Sequence, residues 1–376
     1  MSHADFFTSA GLQTVEDRES RLLAPYAMRS SGSQGRKYPE PEHPYRGPFQ
    51  RDRDRIVHSS AYRRLSGKMQ VFTGEMGDYH RTRLTHTHDV ASIARTIGRA
   101  LRLNEDLIEA LALFHDIGHP PFGHAGEDTL NECLADKGGF SHNRYALVIA
   151  EHLESRYQSF PGLNLTREVL ESQASRIDKT CPGPVPLLEA QVVEVADSMT
   201  YDAHDTDDAV KLGLVTLEEL AAIPLVYDTI QRVRQRFGNL HGKLLRKATV
   251  HELIDRQVTD VLQTTGPALE RSRLGSPDEA RRAGFRIGPG AALAAQKTQL
   301  EAFLYERVYR HPQLIAMRSR AQEQLRAMFA GYCRRPALLP QKFRDRAESI
   351  GIAVAVGDYL AGMTDRYCEQ QYERYF

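Results

Sequence analysis

The sequence has no long apolar run. No stretch approaches the roughly 20 residues a helix needs to cross a bilayer. The opening residues, MSHADFF, lack the charge and apolar core of a signal peptide. The expectation is a cytoplasmic chain with no membrane anchor. Its four cysteines, Cys133, Cys181, Cys333 and Cys368, lie far apart and form no CxxC pair. That argues against a zinc ribbon or a disulfide scaffold and suits a reducing compartment. Net charge of one sign is also missing: 49 basic side chains balance 49 acidic ones. Without a global field toward nucleic acid or anionic lipid, any phosphate must be met by a local basic pocket. No repeat or low-complexity tract occurs, and nothing matches GxxxxGK[ST] or a dinucleotide fingerprint. Strand signals are few, at Val71-Phe72 and from Phe285 to Ile287.

What is present is helical periodicity. At 376 residues, 41% hydrophobic and 26% charged, the chain can bury one large core or two ordinary ones. Residues 11–25 predict a short helix carrying Leu12, Val15, Leu22 and Leu23. Residues 30–48, rich in Ser, Gly, Pro and charge, predict a loop acting as a tether. In 49–65, Ile56, Ala61, Tyr62 and Leu65 share a face, and the alternating Arg51, Asp52, Arg53, Asp54 and Arg55 predict a solvated, salt-bridged one. Helices are further expected at 144–157, 165–175, 187–204, 225–237, 240–263, 300–309, 312–328 and 350–363, with a loop at 266–289. The resulting fold class is all-α. Its expected divisions are an N-terminal segment 1–50, a core 51–215 and a C-terminal helical extension 216–376.

The chemistry concentrates in Leu111 to Glu127, LALFHDIGHPPFGHAGE, with three histidines and two carboxylates in seventeen residues. Leu107, Leu111 and Phe114 carry a helix, capped at Asn104, into His115 and Asp116. Pro120-Pro121 then blocks its continuation. His119 and His124 are expected on the loop beyond, and a helix restarts over 125–134. Successive helical residues point about 100° apart. One ion can therefore touch both His115 and Asp116 only if it lies close to that helix, and its other ligands come from elsewhere. A neutral imidazole beside a carboxylate suits Mn, Fe, Co, Ni or Zn, and Mg less well. The alternative is a capped helix end with satisfied polar groups.

His86 heads an apolar helical stripe with Val90, Ile93, Ile97 and Leu101, so it points inward as a ligand or a hydrogen-bonded core histidine. His88 faces elsewhere. Arg83, one turn earlier, reaches a phosphate or forms a surface salt bridge. Asp197, Tyr201 and Asp205 fall on one line of a helix beside an apolar face. They form either a solvent face or a platform for a sugar.

The runs RDRDRIVHSSAYRRLSGKMQVF, RTRLTH and HDIGHPPFGHAGE resemble the HD-domain phosphohydrolases, specifically the dGTPase-like deoxynucleoside triphosphate triphosphohydrolases. The shared motifs extend from about Arg51 to about Asp208, with weaker similarity toward Pro312. The resemblance implies an HD-domain helical core and a divalent metal ion (Mn, Mg, Fe, Co, Ni or Zn) on His86, His115, Asp116 and Asp197. It implies attack at the α-phosphate of deoxynucleoside triphosphates, releasing deoxynucleoside and tripolyphosphate. Tyr201 would stack on the sugar, Asp205 would accept from its 3′-hydroxyl, and Arg64, Gln70 and His142 would border the nucleotide. Within that frame His124 and Glu127, spaced i, i+3, form a pair for proton transfer, with His119 and Arg83 contacting phosphates. Relatives form oligomers, so a homo-oligomer is expected, and single-stranded nucleic acid could bind as a second ligand.

Two rival readings remain at this stage. Another HD enzyme, a nucleotidase or phosphodiesterase, would keep the ligands but should lack Tyr201, Asp205 and the RTRLTH context. A non-enzymatic nucleotide sensor that binds nucleic acid should have lost the ligands.

Overall fold

The computed structural model describes residues 13–70, 81–178 and 185–376. Among them the structure is helical, with two isolated bridges, Arg36 to Thr166 and Met69 to Thr82, and no sheet. The chain runs through α1 (Val15–Leu22), α2 (Pro48–Val57), α3 (Ser60–Arg64), α4 (Arg83–Ala100), α5 (Glu105–Phe114), α6 (Gly123–Cys133), α7 (His142–Val148), α8 (Arg167–Ala174) and α9 (Leu188–Lys211). It continues through α10 (Leu217–Leu220), α11 (Pro224–Phe237), α12 (Gly242–Ser272), α13 (Pro277–Arg282), α14 (Ala291–Leu304), α15 (Pro312–Arg334), α16 (Gln341–Ile350), α17 (Ile352–Ala361) and α18 (Asp365–Tyr375).

Helices α2, α4, α5 and α9 surround the first core. The Thr82 and Thr85 side chains close a capping box at the start of α4, whose His86, Val90, Ala94 and Ile97 are buried. Asn104 accepts from the backbone N–H groups of Asp106 and Leu107 and so starts α5. That core runs from Phe49 and Ile56 through Leu107, Phe114 and Met199 to Leu325, Tyr332 and Leu360. A second core gathers Ala203, Leu225, Ile230, Leu253, Leu300 and Leu314. The long helix α9 belongs to both. Met199 packs in the first and Ala203 in the second, so Asp197 and Tyr201 sit where the helix passes between them. The chain after α14 returns to the first core, which brings α17 and α18 beside the loops that follow α3 and α5.

Several expectations change on inspection. The alternating charges of α2 are not a solvated face: Asp52 is fully buried and Arg55 nearly so. Asp52 pairs with Arg36 and accepts from the Thr166 amide and hydroxyl, while Arg55 pairs with Glu40 and donates to the carbonyls of Leu163 and Asn164. Those partners come from residues 30–48 and 163–166. The Ser/Gly/Pro-rich segment is therefore a pinned strap rather than a free tether. In α1 the buried side chain is Glu19, which accepts from Ser30 and Asn104, while Leu22 is exposed.

Helix α12 continues through Pro267, where a loop was expected. Its buried residues Leu253, Gln257, Val261, Thr265 and Leu269 recur every four positions, and that stripe outweighs one missing backbone donor on the outer face. Residues 285–287 form no strand; the Gln191 side chain donates to the Phe285 carbonyl and accepts from the Ile287 amide. Val71-Phe72 lies outside the described residues.

Candidate active site

Three elements deliver the central donors. His86 projects from the first turn of α4, His115 caps the C-terminus of α5 with Asp116 directly after it, and Asp197 lies midway along α9. His86 Nε2 is 3.1 Å from Asp197 Oδ1. His115 Nε2 is 3.5 Å from Asp116 Oδ1 and 3.6 Å from Asp197 Oδ1. One donor atom from each of His86, His115 and Asp116 falls within 4.8 Å of the others. His115 Nδ1 is 2.6 Å from the Ala112 carbonyl, which can only accept, so Nδ1 carries the proton. Its Nε2 is then a bare lone pair, buried and without a hydrogen-bond partner. An orphaned buried acceptor is costly, and here it faces two carboxylate oxygens and a second imidazole. That donor set fits a divalent cation of the imidazole- and carboxylate-binding kind.

The charge states suit the same use. Burial raises the Asp116 carboxyl, but His119, His115 and Arg83 together hold it well below the usual carboxylate range. Asp197 is likewise depressed against its burial, by His115, His86 and Arg176. Burial pushes the His115 imidazole down, toward the neutral ligand form. Each carboxylate is oriented by one guanidinium. Arg83 Nη1 is 2.8 Å from Asp116 Oδ2, and Arg176 Nη2 is 2.8 Å from Asp197 Oδ2. The other oxygen of each is left facing the histidines. Arg83 is therefore buried and committed to Asp116 rather than lying on a surface.

A second group of histidines stands beside this cluster. Phe122 and Gly123 adopt left-handed backbone, turning the chain after Pro120-Pro121 directly into α6. As a result His124 sits in the first turn of that helix, not on a loop. His119 stacks on His142 with ring centroids 3.8 Å apart and planes 17° from parallel. His119 Nε2 is 3.2 Å from Asp116 Oδ1. Glu127 takes two bonds from His142, at 2.8 Å from both its Nδ1 and its amide, and lies 3.5 Å from His124 Nδ1. Burial opposes the ionisation of Glu127, but His124 and His142 hold its carboxyl far below the usual range. Close approach makes this arrangement possible. A Cβ on Gly118 would lie 2.1 Å from the His142 carbonyl, and one on Gly126 2.0 Å from that of Pro121.

His86, Asp116 and Asp197 share a cavity of about 370 Å³ with His119, His124 and His142; Gln70, Asn143, Arg176, Glu194, Ser198 and Tyr201 also line it. Asp205, one turn beyond Tyr201, is buried and accepts a hydrogen bond from the Tyr309 hydroxyl. Burial raises its carboxyl to about 7. Arg64 is not brought to this cavity. It lines a separate one of about 220 Å³ with Lys68, Tyr145 and Lys342. His88, as expected, faces away, 3.2 Å from the Tyr62 hydroxyl.

Some contributors carried no readable signal. Arg176 lies just beyond α8 in no motif. Tyr309 ends a π-helical turn more than a hundred residues from Asp205. Lys68 donates to the carbonyls of His119 and Ala361, and Asp365 accepts from the amides of Met69 and Phe122. The C-terminal helices thus clamp the loops on both sides of the site.

The two-histidine, two-carboxylate cluster lies in an all-helical core, and residues 83–202 match the HD domain model; residues 288–374 match that of the phosphohydrolase-associated domain. The chain is similar to deoxyguanosinetriphosphate triphosphohydrolase-like proteins almost end to end. It is 40% identical to one from Geobacter metallireducens (96% of this chain, 97% of the relative) and 40% identical to one from Nitrosomonas europaea (94% and 98%). It is 43% identical to deoxyguanosinetriphosphate triphosphohydrolase-like protein 1 from Mesorhizobium japonicum (95% of each). The chain belongs to this deoxyguanosinetriphosphate triphosphohydrolase-like family and is an HD-type hydrolase. Among the described residues no helix is long and apolar enough to cross a membrane.

Proposed function

We propose that the protein hydrolyses deoxynucleoside triphosphates at the α-phosphate, yielding deoxynucleoside and tripolyphosphate. The observation that carries this is the bare, buried Nε2 of His115 facing Asp116, Asp197 and His86 at the edge of a nucleotide-sized cavity. His86, His115, Asp116 and Asp197 would hold a divalent cation. When bound, such a cation supplies Lewis-acid chemistry toward a phosphate oxygen and a nearby water. Arg83 and Arg176 fix the two carboxylates, and both side chains line the cavity that would hold the phosphates.

The reaction adds one water, breaks the bond from the α-phosphorus to O5′, and returns a proton to O5′. Glu127 lies between His124 and His142, so a proton can be accepted on an imidazole, stabilised by the carboxylate, and given back. His119, stacked on His142, lies on the phosphate side. Tyr201 forms a wall for the sugar, and Asp205, held by Tyr309, supplies an acceptor for its 3′-hydroxyl. The relatives' names point to dGTP, and the sugar-facing residues fit a deoxyribose of any base.

Separating the products of each dNTP, turned over with Mn²⁺, tests the assignment. Deoxynucleoside and tripolyphosphate in equal amounts are expected. Orthophosphate or a deoxynucleoside monophosphate would reassign the protein to a nucleotidase or phosphodiesterase.

A further inference from the structure

Behind His86, on the side away from the cavity, lies a second imidazole with no place in the scheme above. His204 is buried on α9, with its Nδ1 3.5 Å from His86 Nδ1 and the rings nearly perpendicular, 71° apart. The far nitrogen of His204, Nε2, is 3.1 Å from Asp89 Oδ2. Asp89 in turn faces Arg81 at 3.7 Å, and Arg81 is anchored by Asp208 at 3.1 Å and Asp207 at 3.5 Å.

With a cation held at the cluster, His86 Nε2 must offer a lone pair, although without the cation its 3.1 Å approach to Asp197 Oδ1 would make it the donor. A carboxylate only accepts, so His204 Nε2 carries a proton and donates to Asp89. Neutral His204 is then bare at Nδ1 and accepts there. His86, offering Nε2 to the metal, carries its proton on Nδ1, the nitrogen 3.5 Å from this acceptor. His204 thereby stabilises the tautomer of His86 that leaves the Nε2 lone pair free for the metal. The opposite polarity would put a proton on His86 Nε2 and remove it as a ligand.

We infer that His204, oriented by Asp89, is a positioning residue that fixes His86 in the tautomer and orientation needed to bind a metal. The inference rests on the metal-site reading above. It adds a His–His–carboxylate relay to that reading. A ligand histidine ordinarily passes its second N–H directly to a carboxylate, carbonyl or water. In this chain a buried imidazole is interposed, and it ties the ligand on α4 to α9, the helix that also carries Asp197. Two of the four proposed ligands are thereby held in register by one buried contact.

The test is Mn²⁺ binding by the full-length protein, measured by titration calorimetry, for the parent, His204→Phe, His204→Asn and Asp116→Ala. Phe keeps a planar ring but offers no acceptor. Asn places a carbonyl oxygen close to the lost Nδ1. His204→Phe should weaken Mn²⁺ binding by roughly 10–100-fold, the usual effect of losing such a partner, and His204→Asn should restore most of it. Parent-like binding by His204→Phe, or equal losses in Phe and Asn, would overturn the relay. A parent that binds Mn²⁺ no better than Asp116→Ala would instead overturn the metal site itself.

Should the Phe variant fail to fold, ¹⁵N NMR of the parent loaded with Zn²⁺ decides the matter. Protons on His86 Nδ1 and His204 Nε2, with His204 Nδ1 bare, are expected. A proton on His204 Nδ1 contradicts the relay.

Discussion

Asp365→Ala tests whether the C-terminal helices hold the loops that border the candidate site. Asp365 is 9% exposed at the first position of α18. Its Oδ2 accepts from Met69 N at 2.9 Å and its Oδ1 from Phe122 N at 3.0 Å. The first amide precedes Gln70, and the second lies between His119 and His124. Truncation leaves two amides, one of them fully buried, without acceptors. At about 1–3 kcal/mol for each group left unsatisfied, the loss is roughly 2–6 kcal/mol, toward the low end if water enters. The neighbouring Lys68 loses an opposing charge, which adds to the cost. Asp365→Asn retains one acceptor and should lose about half as much. Urea unfolding of parent and variants in EDTA measures the stability without a metal contribution. The Ala variant should also lose turnover, because both released loops carry cavity residues, Gln70 and His124. An Ala variant within about 0.5 kcal/mol of the parent, the range of an ordinary surface change, and equally active would refute the clamp.

The other predictions concern the cavity. Asp116→Ala should abolish hydrolysis and metal retention while the chain stays folded, read by metal analysis and circular dichroism; normal metal content would remove Asp116 from the site. His124→Ala and His142→Ala should each lose rate by roughly 10²–10⁴-fold, as for a positioned acid or base, and both should keep the metal. Loss of metal in either would mean that a ligand has been misassigned.

Asp205 gives a pH dependence. Its folded pKa, raised by burial to about 7, exceeds the unfolded value, so its stability contribution is complete below about 4 and fades as pH rises through about 7. Over the same rise it becomes a carboxylate able only to accept. The kcat/KM ratio of a dNTP over its 2′,3′-dideoxy analogue should therefore increase from pH 6 to 8, and flatten in Asp205→Asn. A ratio unchanged with pH in the parent would take the 3′-hydroxyl away from Asp205.

The parts of the fold and site legible in the sequence are those written in local spacing. His86 heads an i, i+4 stripe, His115 and Asp116 end an apolar helix, and Asp197 and Tyr201 share a helix line. All four central donors occur in such patterns, and the structure brings them together. What escaped reading depends on partners far along the chain. Asp52 and Arg55 resemble a solvated charge run until residues 36–40 and 163–166 fold over them. Tyr309 meets Asp205 across 104 positions, and Lys68 meets Ala361 across 293. Helix α12 ignores Pro267 because its buried face is defined by packing on either side. Helix α18, with Asp365 in its first turn, was missed because its mostly polar sequence lacks a continuous apolar stripe.

The central claim is that water attacks the α-phosphorus and expels O5′, and ³¹P NMR with mass spectrometry of dGTP hydrolysed in H₂¹⁸O tests it most directly. The account predicts free deoxyguanosine and tripolyphosphate, with one ¹⁸O in a terminal phosphate of the tripolyphosphate and none in the nucleoside. Label in the deoxyguanosine 5′-oxygen, or release of dGMP with pyrophosphate, would contradict it.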